Sequence, residues 1–171
     1  MTGRKEVSMV ASYDFNHVGI SIPDLDTAIA WYRDVLGFAL LSGPHDVDFA
    51  EPRVGEQARD VLGGDFKRMR MAHVLTPNGI GIELFQLIDP PHEPKERPVE
   101  YWRSGIFHLC ITHKDIEGLA KKIVDHGGRQ LSKIWMERPP SSEYKMVYCA
   151  DPFGTVIEIY THSYRDMQGG R

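Results

Sequence analysis

Four polar side chains interrupt apolar segments at matched places: His17 in FNHVGIS, Glu83 in GIELF, His108 in IFHLCIT and Glu158 in TVIEIY. In a half-buried strand alternate side chains share a face, so Phe15, His17 and Gly19 point one way, and Gly81, Glu83 and Phe85 do the same. Ile106, His108 and Cys110, and then Val156, Glu158 and Tyr160, repeat the pattern. Each of these strands aims one His or Glu at the surface away from its apolar side. Two carboxylates left unpaired in such a place would each cost several kcal/mol, and a divalent cation compensates both at once. Two neutral imidazoles with two carboxylates suit a first-row divalent metal in octahedral or distorted geometry, and they include no thiolate to favour a closed structural zinc site. Four protein ligands of six leave two positions open, as a chelating substrate requires. Taken singly, each residue reads as well as a hydrogen-bonded core histidine or as a glutamate paired with an arginine such as Arg70. The repetition of the same types in two copies carries the inference.

The elements that must position these residues repeat too. Phe15–Ser21 and Ile106–Thr112 have strand character, and each is followed by helical periodicity. In the first copy Asp24 or Asp26 caps a helix with Ala28, Ile29, Trp31, Tyr32, Val35 and Leu36 on its apolar face, stopped by Gly37. In the second, Lys114 or Asp115 opens a helix whose face is Ile116, Leu119, Ala120, Ile123 and Val124, ended by Gly127-Gly128. Short strands are expected near Phe38–Leu41 and Gln130–Trp135, then a hairpin of Met69–Leu75 with the Glu83 strand and of Tyr144–Ala150 with the Glu158 strand. Each copy thus reads strand, helix, strand, strand, strand, an α+β pattern of two tandem βαβββ modules.

His17 and Glu83 are 66 positions apart and His108 and Glu158 are 50 apart, so the first copy carries an insertion, placed at about 43–67, in which Val54–Leu62 has a helical pattern. The boundaries expected are an N-terminal extension over 1–12, a first module over 13–90, a proline-rich linker over 91–104, a second module over 105–162 and a polar, mobile tail over 163–171.

Composition narrows the function classes. The chain has 20 Lys plus Arg against 24 Asp plus Glu, a net charge of -4 and no dense basic stretch, which argues against nucleic acid and anionic membranes. Its apolar runs are too short for a membrane span or a signal peptide, so a cytoplasmic protein is expected. Two cysteines, Cys110 and Cys149, sit in apolar segments and imply no disulfide framework.

The segment HVGISIPDLDTAIAWYRDVLGF from His17 to Phe38 and the closing DPFGTVIEIY from Asp151 to Tyr160 resemble the start and end of a module of the vicinal oxygen chelate superfamily. That superfamily includes glyoxalase I, methylmalonyl-CoA epimerase, extradiol dioxygenases and bleomycin-resistance proteins, and the likeness spans about residues 14–162. The resemblance implies that the modules curl into a cup-shaped, half-open mixed β-barrel with helices outside, frequently completed as a homodimer. It also implies that His17, Glu83, His108 and Glu158 fall on the metal positions of the glyoxalase and epimerase members. The cofactor expected is one divalent ion per chain: zinc, nickel, cobalt, manganese or iron.

The position of Glu83 separates subclasses, since extradiol dioxygenases of this kind hold iron with two His and one Glu and use no ligand there. A small-molecule substrate with vicinal oxygens would chelate the ion, and a proton would move through an enediolate, as in an isomerase, epimerase or lyase. The resemblance makes Glu158 the first choice of base, with Glu83 as its catalytic partner. Phe85, Tyr160, Arg70 and Tyr148 are candidates for the substrate pocket, with the insertion and the Pro139-Pro140-Ser141-Ser142 turn at its mouth. His73 is a candidate outer-shell residue; His45, His92, His113, His126 and His162 read as surface. The alternatives are a ring-cleaving dioxygenase built on His17, His108 and Glu158, and a non-catalytic small-molecule binding or resistance protein.

Overall fold

The computed structural model describes residues 13–97, 99–138 and 141–169. The expected extension over 1–12 and the Pro139-Pro140 turn therefore lie outside the described residues. The chain divides into two compact units, Asp14–Pro94 and Lys95 onward, with the division inside the segment expected to be a linker.

In the Asp14–Pro94 unit the elements are β1 (His17–Ser21), α1 (Leu25–Leu36), β2 (Ala39–Asp48), α2 (Pro52–Leu62), β3 (Arg68–Leu75) and β4 (Gly81–Asp89). Their sheet has the order β1-β4-β3-β2, with β1 parallel to β4 and the other pairs antiparallel. Helix α1 begins where the Asp24 side chain accepts a hydrogen bond from the Thr27 N–H at 2.7 Å, and it ends at Gly37, whose φ is 72°. Leu25, Ala28, Tyr32 and Val35, spaced three or four apart, are buried against Ala72, Val74, Ile82 and Leu84 of the central strands. Alternation then sends His73, Glu83 and Phe85 to the other face.

Strand β2 is longer than the expected Phe38–Leu41, because His45–Asp48 resume pairing with β3 after two register shifts. The insertion thus begins inside a strand. Its helix α2 covers the far end of the site face: Val47, Phe49, Ala58 and Met69 are buried there, with Phe66, Met71, Phe85 and Leu87 packed against them.

The second unit contains β5 (Leu109–Thr112), α3 (Ile116–Asp125), β6 (Arg129–Gln130), β7 (Trp135–Arg138), β8 (Ser141–Ala150), β9 (Val156–Tyr160) and α4 (Tyr164–Gln168). Its sheet runs β5-β9-β8-β6, with β7 also paired to β8 and β5 parallel to β9. Asp115 caps α3 through Gly118 N–H at 2.9 Å, and Ile116, Leu119, Ala120 and Ile123 pack with Val147, Cys149, Ile157 and Ile159 in the core. The fold is α+β, as the periodicities indicate.

Two expectations need correction. The strand expected from Ile106 starts only at Leu109, since pairing with β9 begins at Ile157, and Ile106 is exposed. Within the expected polar, mobile tail, the described residues 163–169 are ordered: α4 is capped by Ser163, which accepts from the Asp166 N–H, and Met167 is fully buried. One apolar residue among polar ones was too weak a signal. Among the described residues no helix is long and apolar enough to cross a membrane.

Candidate metal and acid-base site

The register of the first sheet sets Gly81 beside His17 and Gly19 beside Glu83. A Cβ on Gly81 would approach the His17 Cβ to 3.0 Å, so the glycine makes room for the imidazole to turn toward the acid. His17 Nε2 lies 3.6 Å from Glu83 Oε2, and His73 Nε2 lies 3.4 Å from Glu83 Oε1. Behind the two rings, Asn16 Oδ1 is 2.7 Å from His17 Nδ1 and Ser42 Oγ is 2.9 Å from His73 Nδ1. Glu83 is therefore approached by one imidazole on each oxygen.

The second unit repeats the pair in a drier setting. His108, directly before β5, places Nε2 at 3.2 Å from Glu158 Oε2, and the Glu158 side chain is only 7% exposed. His108 Nδ1 is buried without a hydrogen-bond partner. Tyr148 on β8 and Cys110 on β5 are the cross-strand neighbours of Glu158. Partial loss of hydration, reinforced by the Glu158 charge, pushes the Cys110 thiol up to about 12 and raises the Tyr148 phenol as well. Both stay protonated at neutral pH, beside the carboxylate.

The donor chemistry fits a divalent ion. A carbonyl oxygen only accepts, so His17 Nδ1 carries the proton that points at Asn16, and in the neutral ring Nε2 is the nitrogen with a lone pair, turned toward the Glu83 carboxylate. Two acceptors face each other across that gap. Donor atoms each about 2.1 Å from one ion stand roughly 3.0–3.4 Å apart at angles between 90° and the tetrahedral value, close to both His–Glu separations. Among the described residues no three His, Cys, Asp or Glu side chains are gathered to hold a metal ion as they stand. His73, Glu83 and His17 accordingly form a chain of contacts and not a cage.

The other predicted pocket residues divide. Tyr148 and Tyr160 share the face of Glu158, and Tyr160 is buried, its hydroxyl accepting a hydrogen bond from Gln168 of α4 at 3.1 Å. Phe85 shares the face of Glu83 but is engaged with the cluster under α2. Arg70 is not on this face. It alternates with His73 and donates to Asp26 at 2.9 Å and Gln86 at 3.4 Å, with Asp46 at 3.7 Å, thereby holding the start of α1. Nor does it pair with Glu83. Sequence reasoning missed Asn16 and Ser42; an Asn directly before the strand histidine was the visible signal for the first, and none existed for the second before β2 was known. His45 lies with its ring centroid 6.5 Å from that of His73, although it remains exposed.

Comparison with known proteins agrees with this architecture. The chain is 28% identical over 153 residues to the uncharacterized protein YaeR of Escherichia coli K12, covering 89% of this chain and 98% of the relative. A glyoxalase family protein from Bacillus cereus superposes with a TM-score of 0.70 at 24% identity, over 90% of this chain and 97% of that one. A variant of the fosfomycin resistance protein FosX from Listeria monocytogenes, solved with Mn(II) and 1S,2S-dihydroxypropylphosphonic acid, gives a TM-score of 0.57 at 15% identity, over 95% and 100% of the two chains. The model of the Glyoxalase/Bleomycin resistance protein/Dioxygenase superfamily matches residues 14–159, and with nearly the whole described chain accounted for, the protein belongs to that superfamily.

Proposed function

We propose that this protein is a divalent-metal-dependent enzyme of the isomerase, epimerase or lyase kind, acting on a small substrate that offers two neighbouring oxygens. His17, Glu83, His108 and Glu158 are its metal ligands, with one ion per chain. The observation that carries this reading is the His17–Glu83 contact, where Nε2 lies 3.6 Å from a carboxylate oxygen while Nδ1 faces the amide oxygen of Asn16, so that a neutral ring turns its ligating nitrogen toward the acid. When bound, the ion supplies Lewis acidity, which lowers the pKa of the C–H between or beside the chelating oxygens. A fold relative solved with Mn(II) and a vicinal-diol phosphonate supports a substrate of that shape.

Glu158 is the base. It is withdrawn from water, with the Tyr148 phenol and the Cys110 thiol as its neutral cross-strand neighbours, so it can accept a proton without a solvent shell to rearrange. Glu83 is its partner acid, and His17 and His108 stay neutral. The protein acts as a homodimer in the cytoplasm, a part of the proposal that rests on the family resemblance and on composition.

The test begins with metal analysis of the purified protein. One ion per chain is expected, lost or sharply reduced in His17→Ala and Glu83→Ala. Solvent-deuterium exchange into a panel of α-hydroxyketones and 2-ketoaldehydes should then occur in the wild type and cease in Glu158→Gln. Undiminished exchange in Glu158→Gln sinks the mechanism. A metal that survives Glu83→Ala but not His17→Ala favours a ring-cleaving dioxygenase, and a protein with no metal affinity is a binding module.

A further inference from the structure

The two acids sit in equivalent strands but have different neighbours across the sheet. His73 is the register partner of Glu83, whereas Tyr148 is the register partner of Glu158. One strand further out, Ser42 is the register partner of His73. A line of side-chain contacts thus crosses all four strands of the first sheet: Ser42 Oγ to His73 Nδ1 at 2.9 Å, His73 Nε2 to Glu83 Oε1 at 3.4 Å, and Glu83 Oε2 to His17 Nε2 at 3.6 Å.

The chemistry at the two ends of Glu83 is opposite. On the His17 side the amide oxygen of Asn16 takes the ring proton, so Nε2 is an acceptor. On the His73 side the partner is a hydroxyl, which can donate as well as accept. A carboxylate only accepts, so the consistent arrangement has the Ser42 O–H donating to Nδ1 and the His73 Nε2–H directed at Oε1. One oxygen of Glu83 thus lies beside the His73 ring and the other beside the His17 ring.

We propose that His73 is a positioning residue that holds Glu83 by Oε1, set in its tautomer by Ser42, and so makes Glu83 the fixed acid of the site. Glu158, which has a phenol and a thiol in place of an imidazole tether, is then the acid that moves a proton. This inference rests on the reading of Glu83 as a metal ligand. His73 acts through Glu83 and does not itself enter the ligand set.

The experiment titrates metal-free protein with Co(II) and follows the visible d–d absorption, which reports affinity and ligand geometry without any substrate. His73→Phe, which fills the space without a donor, should weaken Co(II) binding on the order of 10–100-fold and shift the absorption band. His73→Gln, which restores an N–H, should recover most of the affinity. In a Glu83→Gln background His73→Phe should add no further loss. Co(II) binding in His73→Phe equal to wild type, or an equal loss with and without Glu83, overturns the proposal. If His73→Phe does not fold, Ser42→Ala decides: weaker binding supports the tether and unchanged binding overturns it. Failure of the underlying reading looks different, because Glu83→Gln would then bind Co(II) as tightly as wild type. If Glu83→Gln is impaired while His73→Phe is not, the ligand assignment stands and the tether alone falls.

Discussion

At the scale of single residues, the two units solve one problem in two ways. A carboxylate withdrawn from water needs donors, and the value of each donor rises as hydration falls. Glu83 keeps some solvent access and has the His73 imidazole beside one oxygen, whereas Glu158 is buried with the Tyr148 phenol and the Cys110 thiol as cross-strand neighbours. Removing the phenol leaves a nearly dry carboxylate short of a donor. Tyr148→Phe should therefore lower the stability of the metal-free protein by about 1–2 kcal/mol, read from the urea midpoint. A neutral outcome would mean that water reaches Glu158 and that the site is wetter than its burial indicates.

At the scale of elements, the site faces are kept in register by contacts that lie elsewhere. Helix α1 is fixed at its start by the Asp24 cap and by Arg70, which ties Asp26 and Gln86 to the sheet from the side opposite Glu83. The hydrogen bonds from Thr27 hold the Asp24 carboxyl below its usual range, so this contribution is present above about pH 4 and is lost as pH falls through the lowered value. Asp24→Ala should cost about 1 kcal/mol at neutral pH, and the difference from wild type should shrink in acid, as thermal melts at several pH values can show. Helix α2 depends on close approach: a Cβ on Gly55 would stand 2.1 Å from the Phe49 carbonyl oxygen. Gly55→Ala should loosen the cover over Phe85 and Met69, detected as faster amide exchange in α2 with β3 and β4 little changed.

At the scale of the whole molecule, the groups that titrate in alkali act in one direction. Burial pushes the Cys149 thiol up to about 11 and raises the Tyr160 phenol, while Cys110 and Tyr148 are raised by burial and the Glu158 charge. The unfolded chain releases these protons first, so the folded state holds more protons above about pH 9 and stability must fall as pH rises. The urea midpoint should decline from about pH 9 toward pH 11, and Cys149→Ala should show a shallower decline despite a lower starting stability. A flat profile over that range would mean that these groups ionise as freely in the folded protein as in the unfolded one.

How much of this was legible depends on the range of the interaction. Period-two alternation and capping residues are local, so the repeat, α1, α3, the hairpins and the facing of His17, Glu83, His108 and Glu158 could be read from the chain alone. Strand length was not local: β2 continues past its register shifts because β3 offers partners, and β5 starts late because β9 does not. Arg70 illustrates the same limit. Its charge and its place in a strand are written in the sequence, but only the pairing of β3 with β4 and the packing of α1 decide that it faces Asp26. The sequence by itself determined which residue types recur and which alternate, because those follow from the geometry of one strand or one helix. Tertiary structure alone decided that Ser42 meets His73, His73 meets Glu83 and Tyr148 meets Glu158, because cross-strand neighbours are chosen by register, and register is settled only when one face of the sheet is buried against the rest of the fold.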